Sequence, residues 1–582
     1  MPRRYSVDGP NPVSPPPAEP PAVPKAAYSL TLSSGAVFAA SLATQLIGFF
    51  ASIAFYKTIG LSMEGRALLG TAQLFLLIGS SINGVGDLRL GTAYTYFLAR
   101  GKPATDNTST YLFVRMLMVA AAGVILFAIA PLSIGGAQIA SGSTELLSIG
   151  IFLALPLLWS FSTVYNALFI GQGDSVRAQY PSLVEALARL PAIIIVALYF
   201  PTILGITAAY AIGAAASTLY CLPVILRLLR RFRWSEAAQM FRFSWPLMGS
   251  LMLSYMVTNM IPLIVNAFLG AIALSIFLAA NGWRILALSL PAAVTTPLFP
   301  YLAGLHRKEE YERIRRGTWQ ALRYSAMLLV PGVVALVTYR SVFLNVFQNA
   351  AYAAAGSIPL ALLVIGSIPL ALSQIMQSAI NAIGRQRLEL YITSTQVTVL
   401  FVAVFLLMPS WGPLHISNGL IAGSIAVLAS SIAALGLNTY FMETLIRVHI
   451  QPRSILGILI SAAGGFFVMS QFNHFLPHNR YSQLALGVVL GFAAYFALLI
   501  AIGELTRQDV RQIGSSIGLP PWLYNPLARI CWRESAPGLL PIDLRRARGL
   551  RPTELPETFV GATELPQMTP LPSEPPPPRS PP

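Results

Sequence analysis

The chain has 582 residues, of which 55% are hydrophobic and only 10% are charged, and its formal net charge is +16. Soluble domains carry about 25% charged residues, so this composition excludes an ordinary water-soluble protein and indicates a polytopic membrane protein. The two cysteines, Cys221 and Cys531, lie far apart in sequence, which argues against a disulfide framework.

Fourteen apolar segments are long enough to cross a bilayer core, which takes about 20 residues of helix. Several contain proline, which is tolerated where neighbouring helices or a polar cavity satisfy the freed carbonyl groups. The segments lie near 33–56, 67–98, 111–134, 145–170, 180–200, 202–226, 244–268, 271–303, 321–339, 355–383, 389–408, 416–445, 454–472 and 482–503.

The charges of the connecting loops predict the orientation. If the N-terminus is cytoplasmic, the even-numbered loops face the cytoplasm and hold 17 Lys and Arg residues, whereas the odd-numbered loops hold 4. This bias follows the positive-inside rule. It predicts a multi-pass protein of the plasma or inner membrane with both termini in the cytoplasm. It also explains much of the net charge without a nucleic-acid partner.

The fourth and tenth segments end alike, in 166-NALFIGQGDSVRAQY-180 and 381-NAIGRQRLELY-391. Each has an Asn-Ala pair, a glycine, and a tyrosine seven residues after Gly173 or Gly384. Because the segments are six apart, the pattern favours two six-helix halves in the same orientation, followed by two extra helices. Chance similarity between apolar sequences is the alternative.

This repeat gives a predicted division of the chain into five parts. Both ends are rich in proline and are expected to be extended and disordered. The parts are a cytoplasmic tail at 1–28, an N-terminal lobe of helices 1–6 at 29–235, a C-terminal lobe of helices 7–12 at 236–446, the extra helices 13–14 at 447–503, and a basic cytoplasmic tail at 504–582.

No catalytic constellation is visible. The first outer loop, 57–66, lacks the paired acids that general base catalysis or metal binding would need. The predicted outer-loop histidines lack metal-ligand partners at suitable spacing; they are His415, His474 and His478. We therefore expect no enzyme activity, no catalytic residue, no metal and no cofactor.

Arg284 is the strongest candidate for a binding residue, because it is the one charge in the apolar stretch from Ala271 to Ala303. Thirteen residues separate it from the predicted outer end, which places it about 20 Å into the membrane. An arginine at that depth costs about 2.5–3.5 kcal/mol on insertion scales. We expect a functional cation, with Asn281 one turn away; capping of a carbonyl or pairing with an acid is the alternative.

Two further charged positions lie within predicted spans. Arg89 belongs to the second segment, which the repeat makes equivalent to the eighth, so Arg89 and Arg284 are predicted to face each other across a central cavity. An ion pair with Asp87 is the alternative. Glu185 and Arg189 are spaced i,i+4, which allows them to pair on one helix face. Coupling or gating by this pair is the functional interpretation.

Polar side chains recur at helical spacing in three predicted spans. The residues of interest are Asn259 and Asn266 with Tyr255, Gln374 and Gln377 with Ser367 and Asn381, and Thr163 with Asn166. Such rows can connect helices by hydrogen bonds, which is the commoner use of a lone intramembrane amide. Three aligned rows equally favour the lining of a shared hydrated cavity.

Two stretches carry a resemblance to a known family. The sequence 33-SSGAVFAASLATQLIGFFASIAFYKTIGLSMEGRALLG-70, followed by 86-GDLRLGTAYTYFLARGK-102, resembles the opening of the polysaccharide flippases, with matches at Gly60, Gly65, Gly91, Thr92 and Ala93. The stretch 378-SAINAIGRQR-387 is similar to a turn of the same family. The resemblance covers about residues 33–503. Three features depart from it: no carboxylate in the first helix, no strong match to lipid II flippases, and long proline-rich tails.

The resemblance implies an all-α integral membrane protein of the multidrug/oligosaccharidyl-lipid/polysaccharide (MOP) exporter superfamily, with two pseudo-symmetric lobes around a central cavity. It implies movement of an undecaprenyl-pyrophosphate-linked oligosaccharide to the outer leaflet for surface polysaccharide synthesis. Expected partners are this substrate and membrane lipids, and the tails are candidates for recruiting glycan-assembly proteins. The alternatives are a cation-coupled multidrug antiporter, a membrane glycosyltransferase or glycan polymerase, and a non-transporting scaffold.

Overall fold

The computed structural model describes residues 27–99, 103–129, 142–307, 309–409, 412, 414–448, 451–475, 480–507, 509–511 and 521–531. All regular secondary structure in this part of the chain is helical. The helices are α1 (Ala27–Thr58), α2 (Met63–Val85), α3 (Leu90–Ala99), α4 (Ala104–Ile129), α5 (Ser143–Gly171), α6 (Ser175–Tyr199), α7 (Ile203–Leu228), α8 (Trp234–Arg307), α9 (Tyr311–Thr338), α10 (Arg340–Phe347), α11 (Ala350–Ala382), α12 (Gln386–Leu407), α13 (Gly419–Leu445), α14 (Pro452–Phe475), α15 (Arg480–Ile502) and α16 (Pro521–Ile530).

The predicted membrane spans are confirmed as helices, except that the second, at 67–98, is divided: α2 ends at Val85, residues 86–89 form a turn, and α3 begins at Leu90. Thirteen helices among the described residues are long and apolar enough to cross a membrane, and one of these spans, Leu251–Ser289, contains a break. At the break, Gly270 has φ 80° and ψ 177°, a conformation that side-chain-bearing residues avoid. Helix α8 therefore consists of a first arm (234–269) and a second arm (271–307), which bring the crossing segments to fourteen.

The helices pack mainly within two lobes. In the first lobe, α1 packs on α6, and α5 packs on α2, α4 and α7. In the second, α11 packs on α8, α9 and α13, and α12 packs on α13. Helix α8 also packs against α1, α2, α3 and α4 of the first lobe, so it joins the two lobes. Below, the inner side is the side on which α1 begins, which the loop charges predict to be cytoplasmic.

The hydrophobic cores differ between the two sides of the membrane. On the outer side, one cluster contains buried residues of both lobes, including Phe75 and Phe152 of the first lobe and Trp283 and Leu344 of the second. On the inner side the buried residues form two separate clusters. One belongs to the second lobe, and the other joins the first lobe to the beginning of α8. Among the described side chains, the lobes thus share one core outside, whereas inside the core of the second lobe is separate from that of the first lobe, which includes the beginning of α8.

The predicted repeat has a structural counterpart in the turns that follow α5 and α11. Gly173 and Gly384 adopt left-handed conformations, with φ of 84° and 79°. The amides of Asp174 and Arg385, which follow these glycines, each donate to the carbonyl five residues earlier. This is the same helix-terminating motif, in which glycine avoids the cost of a side chain at positive φ. The two helices therefore end with identical local geometry.

Helices α14 and α15 pack on each other and on α9 of the second lobe. Tyr339 donates to the carbonyl of Met469 at 2.7 Å, and Tyr495 donates to the carbonyl of Met327 at 3.2 Å. These two helices thus form an addition to the side of the second lobe, as the expectation of two extra helices requires.

The beginning of the predicted tail at 504–582 differs from the expectation of an extended segment. Arg323 of α9 is buried and bonds the carbonyl of Glu504 and, at 2.7 Å, the carboxylate of Asp509. Tyr324 donates to Asp509 at 2.7 Å, and Ser454 donates to the Glu504 carboxylate at 2.5 Å. This buried polar cluster fixes the chain after α15. The remaining predicted tail, and the predicted tail at 1–28 up to residue 26, lie outside the described residues.

Candidate substrate-binding site

Arg284 lies in the second arm of α8, about 20 Å from the start of that arm. One guanidinium nitrogen donates to the side-chain carbonyl of Asn281 at 3.2 Å. The Nε atom is shielded from solvent and has no hydrogen-bond partner among the described residues. The ion pairs found in the described part of the chain do not include Arg284, so the alternative of a locked acid partner receives no support.

Arg89 lies in the turn between α2 and α3. It adopts φ 59°, and its neighbour Leu88 adopts φ 47°. Its guanidinium makes no hydrogen bond or ion pair with the described residues, and its Nε is buried. Ser244 of α8 donates to its carbonyl at 3.1 Å. Arg89 thus lies where the second lobe meets the inner part of the first lobe, and no contact with Arg284 is seen among the described residues.

The alternative partner of Arg89, Asp87, is bonded elsewhere. The Asp87 carboxylate pairs with Arg115 of α4 at 2.5 Å and accepts from Tyr111 at 2.5 Å. Arg115 is 1% exposed and also donates to the side chains of Asn83 at 2.6 Å and Thr163 at 3.2 Å. This network joins α2, α4 and α5. Hydrogen bonds to both partners of an ion pair help to offset its desolvation, so a structural role explains Asp87.

Sequence reasoning missed Arg115. Its signal was present, because it is a lone arginine inside an apolar helix, as Arg284 is. Its partner is 28 residues earlier, in another helix, so no i,i+4 spacing indicated the pair. The same limit explains why the pairing of Arg323 with Asp509 was missed.

Glu185 and Arg189 form the predicted pair within α6, with a nitrogen–oxygen distance of 3.3 Å. The guanidinium of Arg189 also lies over the ring of Tyr210, 5.1 Å from its centroid. Glu185 is ten residues from the inner end of α6, about 15 Å into the helix. The pair therefore lies deep in the first lobe, packed between α6 and α7, where a charge without its partner would be costly.

The four predicted amide residues lie on partly or fully accessible faces. Asn259, Asn266 and Gln377 are partly exposed and Gln374 is exposed. Neighbouring Ser373, by contrast, is buried and accepts from Asn438 of α13 at 2.6 Å. In lipid, an exposed amide would lack hydrogen-bond partners at a cost of several kcal/mol. The accessible face of α11 at Gln374 is therefore better suited to a hydrated space than to hydrocarbon.

The outer side of the two lobes is held together by a contact that we call the outer closure. Asn349, which caps the start of α11, donates across the seam to the carbonyls of Tyr56 at 3.1 Å and Gly60 at 3.0 Å. The ring of Tyr352 packs edge-on against that of Tyr56, with centroids 5.1 Å apart. Tyr352 also shares a hydrogen bond of 2.7 Å with Ser275. The Asn349 bonds and the contact between Tyr56 and Tyr352 join the two lobes, whereas the bond between Tyr352 and Ser275 lies within the second lobe.

No group of three or more His, Cys, Asp or Glu side chains in the described residues could hold a metal ion. The candidate site comprises an arginine about 20 Å along the second arm of α8, a second arginine near the inner seam, and accessible amides on two helices. Such a bundle, with two lobes joined outside and separate cores inside, has the architecture of a membrane transporter.

Comparison with known proteins narrows this class. The sequence model of a family described as polysaccharide biosynthesis protein matches residues 95–355. The fold matches a lipid II flippase, MurJ, in an inward closed conformation, with a TM-score of 0.65, 13% identity, and coverage of 80% of this chain and 98% of that one. No protein of curated function matches the sequence.

Other transporters share the fold. A MOP superfamily transporter from Pyrococcus furiosus matches with a TM-score of 0.54 and 16% identity, over 72% of this chain and 96% of that one. An inward-facing MATE multidrug transporter of the MOP superfamily matches with a TM-score of 0.50 and 14% identity, over 72% and 94%. The chain thus has the fold of the MOP superfamily, and its predicted resemblance to that superfamily's polysaccharide flippases is confirmed.

Proposed function

We propose that the protein moves a polyprenyl-pyrophosphate-linked oligosaccharide from the inner to the outer leaflet, for the synthesis of a surface polysaccharide. The proposal includes a cell-membrane location with both termini in the cytoplasm, in agreement with the loop charges. The observation that carries it is Arg284, a mid-membrane cation that has a buried donor without a partner.

The physical problem of such transport is the headgroup. Pyrophosphate charges and sugar hydroxyls lose their hydration in hydrocarbon, and each group that remains unpaired there carries a large cost. A guanidinium can replace the lost hydration of the pyrophosphate charges, because it binds phosphate oxygens through two parallel, charge-assisted hydrogen bonds. The bond to Asn281 holds one edge of the Arg284 guanidinium and leaves other donors for an anion.

The amide side chains can replace the lost hydration of the sugar hydroxyls. Amides both donate and accept, so they can replace water around sugar hydroxyls. Gln374 and Gln377 of α11 and Asn259 and Asn266 of α8 belong to the second lobe, as Arg284 does, and all are accessible or partly accessible. We propose that they contact the sugar or line its path, and that Arg89 attracts the pyrophosphate from the inner side.

Alternating opening of the lobes would complete the movement. The shared outer core and the separate inner cores support a substrate site that communicates with the inner side first. Separation of the outer closure would then release the headgroup outside. Glu185 with Arg189 is proposed to gate or couple this exchange within the first lobe.

A cation-coupled antiporter is supported less well. That function needs a carboxylate that is free to exchange ions, whereas Glu185 is paired at 3.3 Å and Asp87 accepts from two side chains. The fold similarity to MATE transporters does not decide between the two functions, because both belong to one superfamily.

The test replaces Arg284 with alanine and with lysine and measures surface glycan in cells at matched levels of inserted protein. We expect Arg284→Ala to abolish export, and Arg284→Lys to restore only part of it, because an ammonium group lacks the two-pronged geometry. The matched control is Arg177→Ala, since Arg177 is an exposed arginine paired within its own turn. Full export by Arg284→Ala would refute the proposed anchor.

A further inference from the structure

We infer that Arg66, at the outer end of α2, is an additional, outer anion-binding site, which receives the pyrophosphate from Arg284 when the lobes separate outside. This inference rests on the proposed function and extends it to the release step. It concerns a residue in a different lobe and at a different depth from Arg284.

Arg66 has no role in the closed structure that its contacts explain. Its guanidinium makes no hydrogen bond or ion pair with the described residues, and its Nε is shielded from solvent without a partner. It lies in the first turn of α2, where the helix dipole is unfavourable to a cation. Glu64 in the same turn is exposed and forms no ion pair with it. The arginine therefore destabilises the closed state locally.

The position of Arg66 connects it to the outer closure. Gly60, six residues before Arg66, accepts from Asn349 of the second lobe and lies against the ring of Tyr352. Gly70, one turn further along α2, packs directly against the backbone of Ala271, where the second arm of α8 begins. Arg66 therefore lies at the seam between the lobes, and separation of the outer closure would uncover it.

The depths of the two arginines indicate successive rather than shared binding. Arg66 is three residues from the outer end of α2, about 5 Å, whereas Arg284 is about 20 Å from the outer end of its arm. A cation at each depth keeps the anion paired as it leaves, which matters because an unpaired charge is most costly before it reaches water. Among the described residues, Arg66 has no hydrogen-bond or ion-pair partner, so its donors are available for phosphate oxygens.

The experiment measures binding of undecaprenyl pyrophosphate to the full chain in nanodiscs, with the outer side either closed or released. Asn349→Asp releases it, because this change keeps the helix cap but removes the donors that cross the seam. We expect Arg66→Ala to weaken binding about tenfold in the Asn349→Asp background and less than twofold with Asn349 intact. The matched control is Arg340→Ala, an exposed outer arginine.

Three outcomes are decisive. The expected difference between the two backgrounds, with Arg66→Lys intermediate, supports the outer-side site. Equal effects in both backgrounds, or no effect in either, overturn it. Arg284→Ala is measured in parallel: normal binding by that variant refutes the proposed function, whereas its loss together with an unaffected Arg66→Ala refutes only the outer site.

Discussion

The substitution Asn349→Asp is predicted to open the outer side of the protein without unfolding it. Aspartate is nearly the same shape as asparagine and is equally good at the start of a helix, so the bonds from Ala351 and Tyr352 to the capping oxygen are kept. The side-chain amide group is lost. It is replaced by an oxygen that faces the carbonyls of Tyr56 and Gly60.

The size of the effect follows from those two bonds. Each contributes about 1 kcal/mol net. A partly buried carboxylate that faces two acceptors instead of a donor pair adds about 1–3 kcal/mol of unsatisfied polar cost. The closed state is therefore destabilised by about 3–5 kcal/mol, which shifts the ratio of outer-open to outer-closed molecules by at least about 100-fold.

The assay measures the width of the outer gap by spin labels on the two lobes. Lys57→Cys and Arg340→Cys are suitable positions, because both are exposed at the outer ends of neighbouring helices, α1 and α10. The native cysteines, Cys221 and Cys531, are buried, and burial raises the pKa of the Cys531 thiol, so neither competes for label. In Asn349→Asp, a larger fraction of the molecules should show a longer distance between the two spin labels.

The control is Asn418→Asp. Asn418 caps α13 in the same manner, accepting from Leu420 and Ile421, and makes no bond across the seam among the described residues. A capping defect alone would disturb both variants alike. The distance distribution is compared among Asn349→Asp, Asn418→Asp and the protein that keeps both asparagines. If all three distributions are the same, the outer closure does not depend on Asn349 and the reasoning fails.

Three other changes have separate expectations. Arg115→Ala leaves the Asp87 carboxylate without its buried partner, so the free energy of unfolding should fall by about 3 kcal/mol, seen as a lower melting temperature. Glu185→Gln keeps the side-chain shape but removes the charge, and it should lower glycan export at least fivefold at unchanged protein level if the pair gates transport. Asp509→Asn weakens the cluster that fixes the chain after α15, so trypsin should cleave purified protein faster at Arg511.

Controls for Arg115→Ala and Asp509→Asn come from exposed ion pairs. Arg316→Ala and Asp174→Asn each disturb a pair at the surface, where the contribution to stability is about 0–1 kcal/mol. They should leave melting temperature and cleavage rate nearly unchanged. A drop with Arg316→Ala as large as that with Arg115→Ala would contradict the argument that burial gives the Asp87 pair its importance.

Hydropathy and loop charge were sufficient to predict the number and position of the spans. A crossing segment needs a long apolar run, and that signal is local in sequence. The break at Gly270 fell between two predicted segments for the same reason. The sequence did not show which polar groups form contacts with each other. The pairing of Asp87 with Arg115, and of Arg323 with Asp509, joins residues on different helices, and such pairs leave no periodic pattern.

The candidate site residues were predicted individually, and in more detail for some than for others. Arg284 was found because an unpaired charge in an apolar run is costly and therefore informative. Its bond to Asn281 followed from their spacing of one turn. Arg66 was counted only among the charges of the odd-numbered loops, because the sequence does not show that the first turn of α2 lies against the second lobe. Its importance depends on the seam, which is a property of the packed lobes.

The two lobes are packed together differently on the outer and inner sides, and this difference constrains how the protein can work. The outer side combines a continuous hydrophobic core with the two Asn349 bonds, whereas on the inner side the described side chains form two separate clusters, one of which joins the first lobe to the beginning of α8. Opening outside therefore requires a compensating gain. Binding of an anion at Arg284 and then at Arg66 would supply it, because Arg66 has no hydrogen bond or ion pair with the described residues that opening would break, and separation of the seam would expose it to an anion. A ligand shifts an equilibrium only through its different affinity for the two states. An arginine that is without a partner in the closed state and accessible in the open one provides that difference.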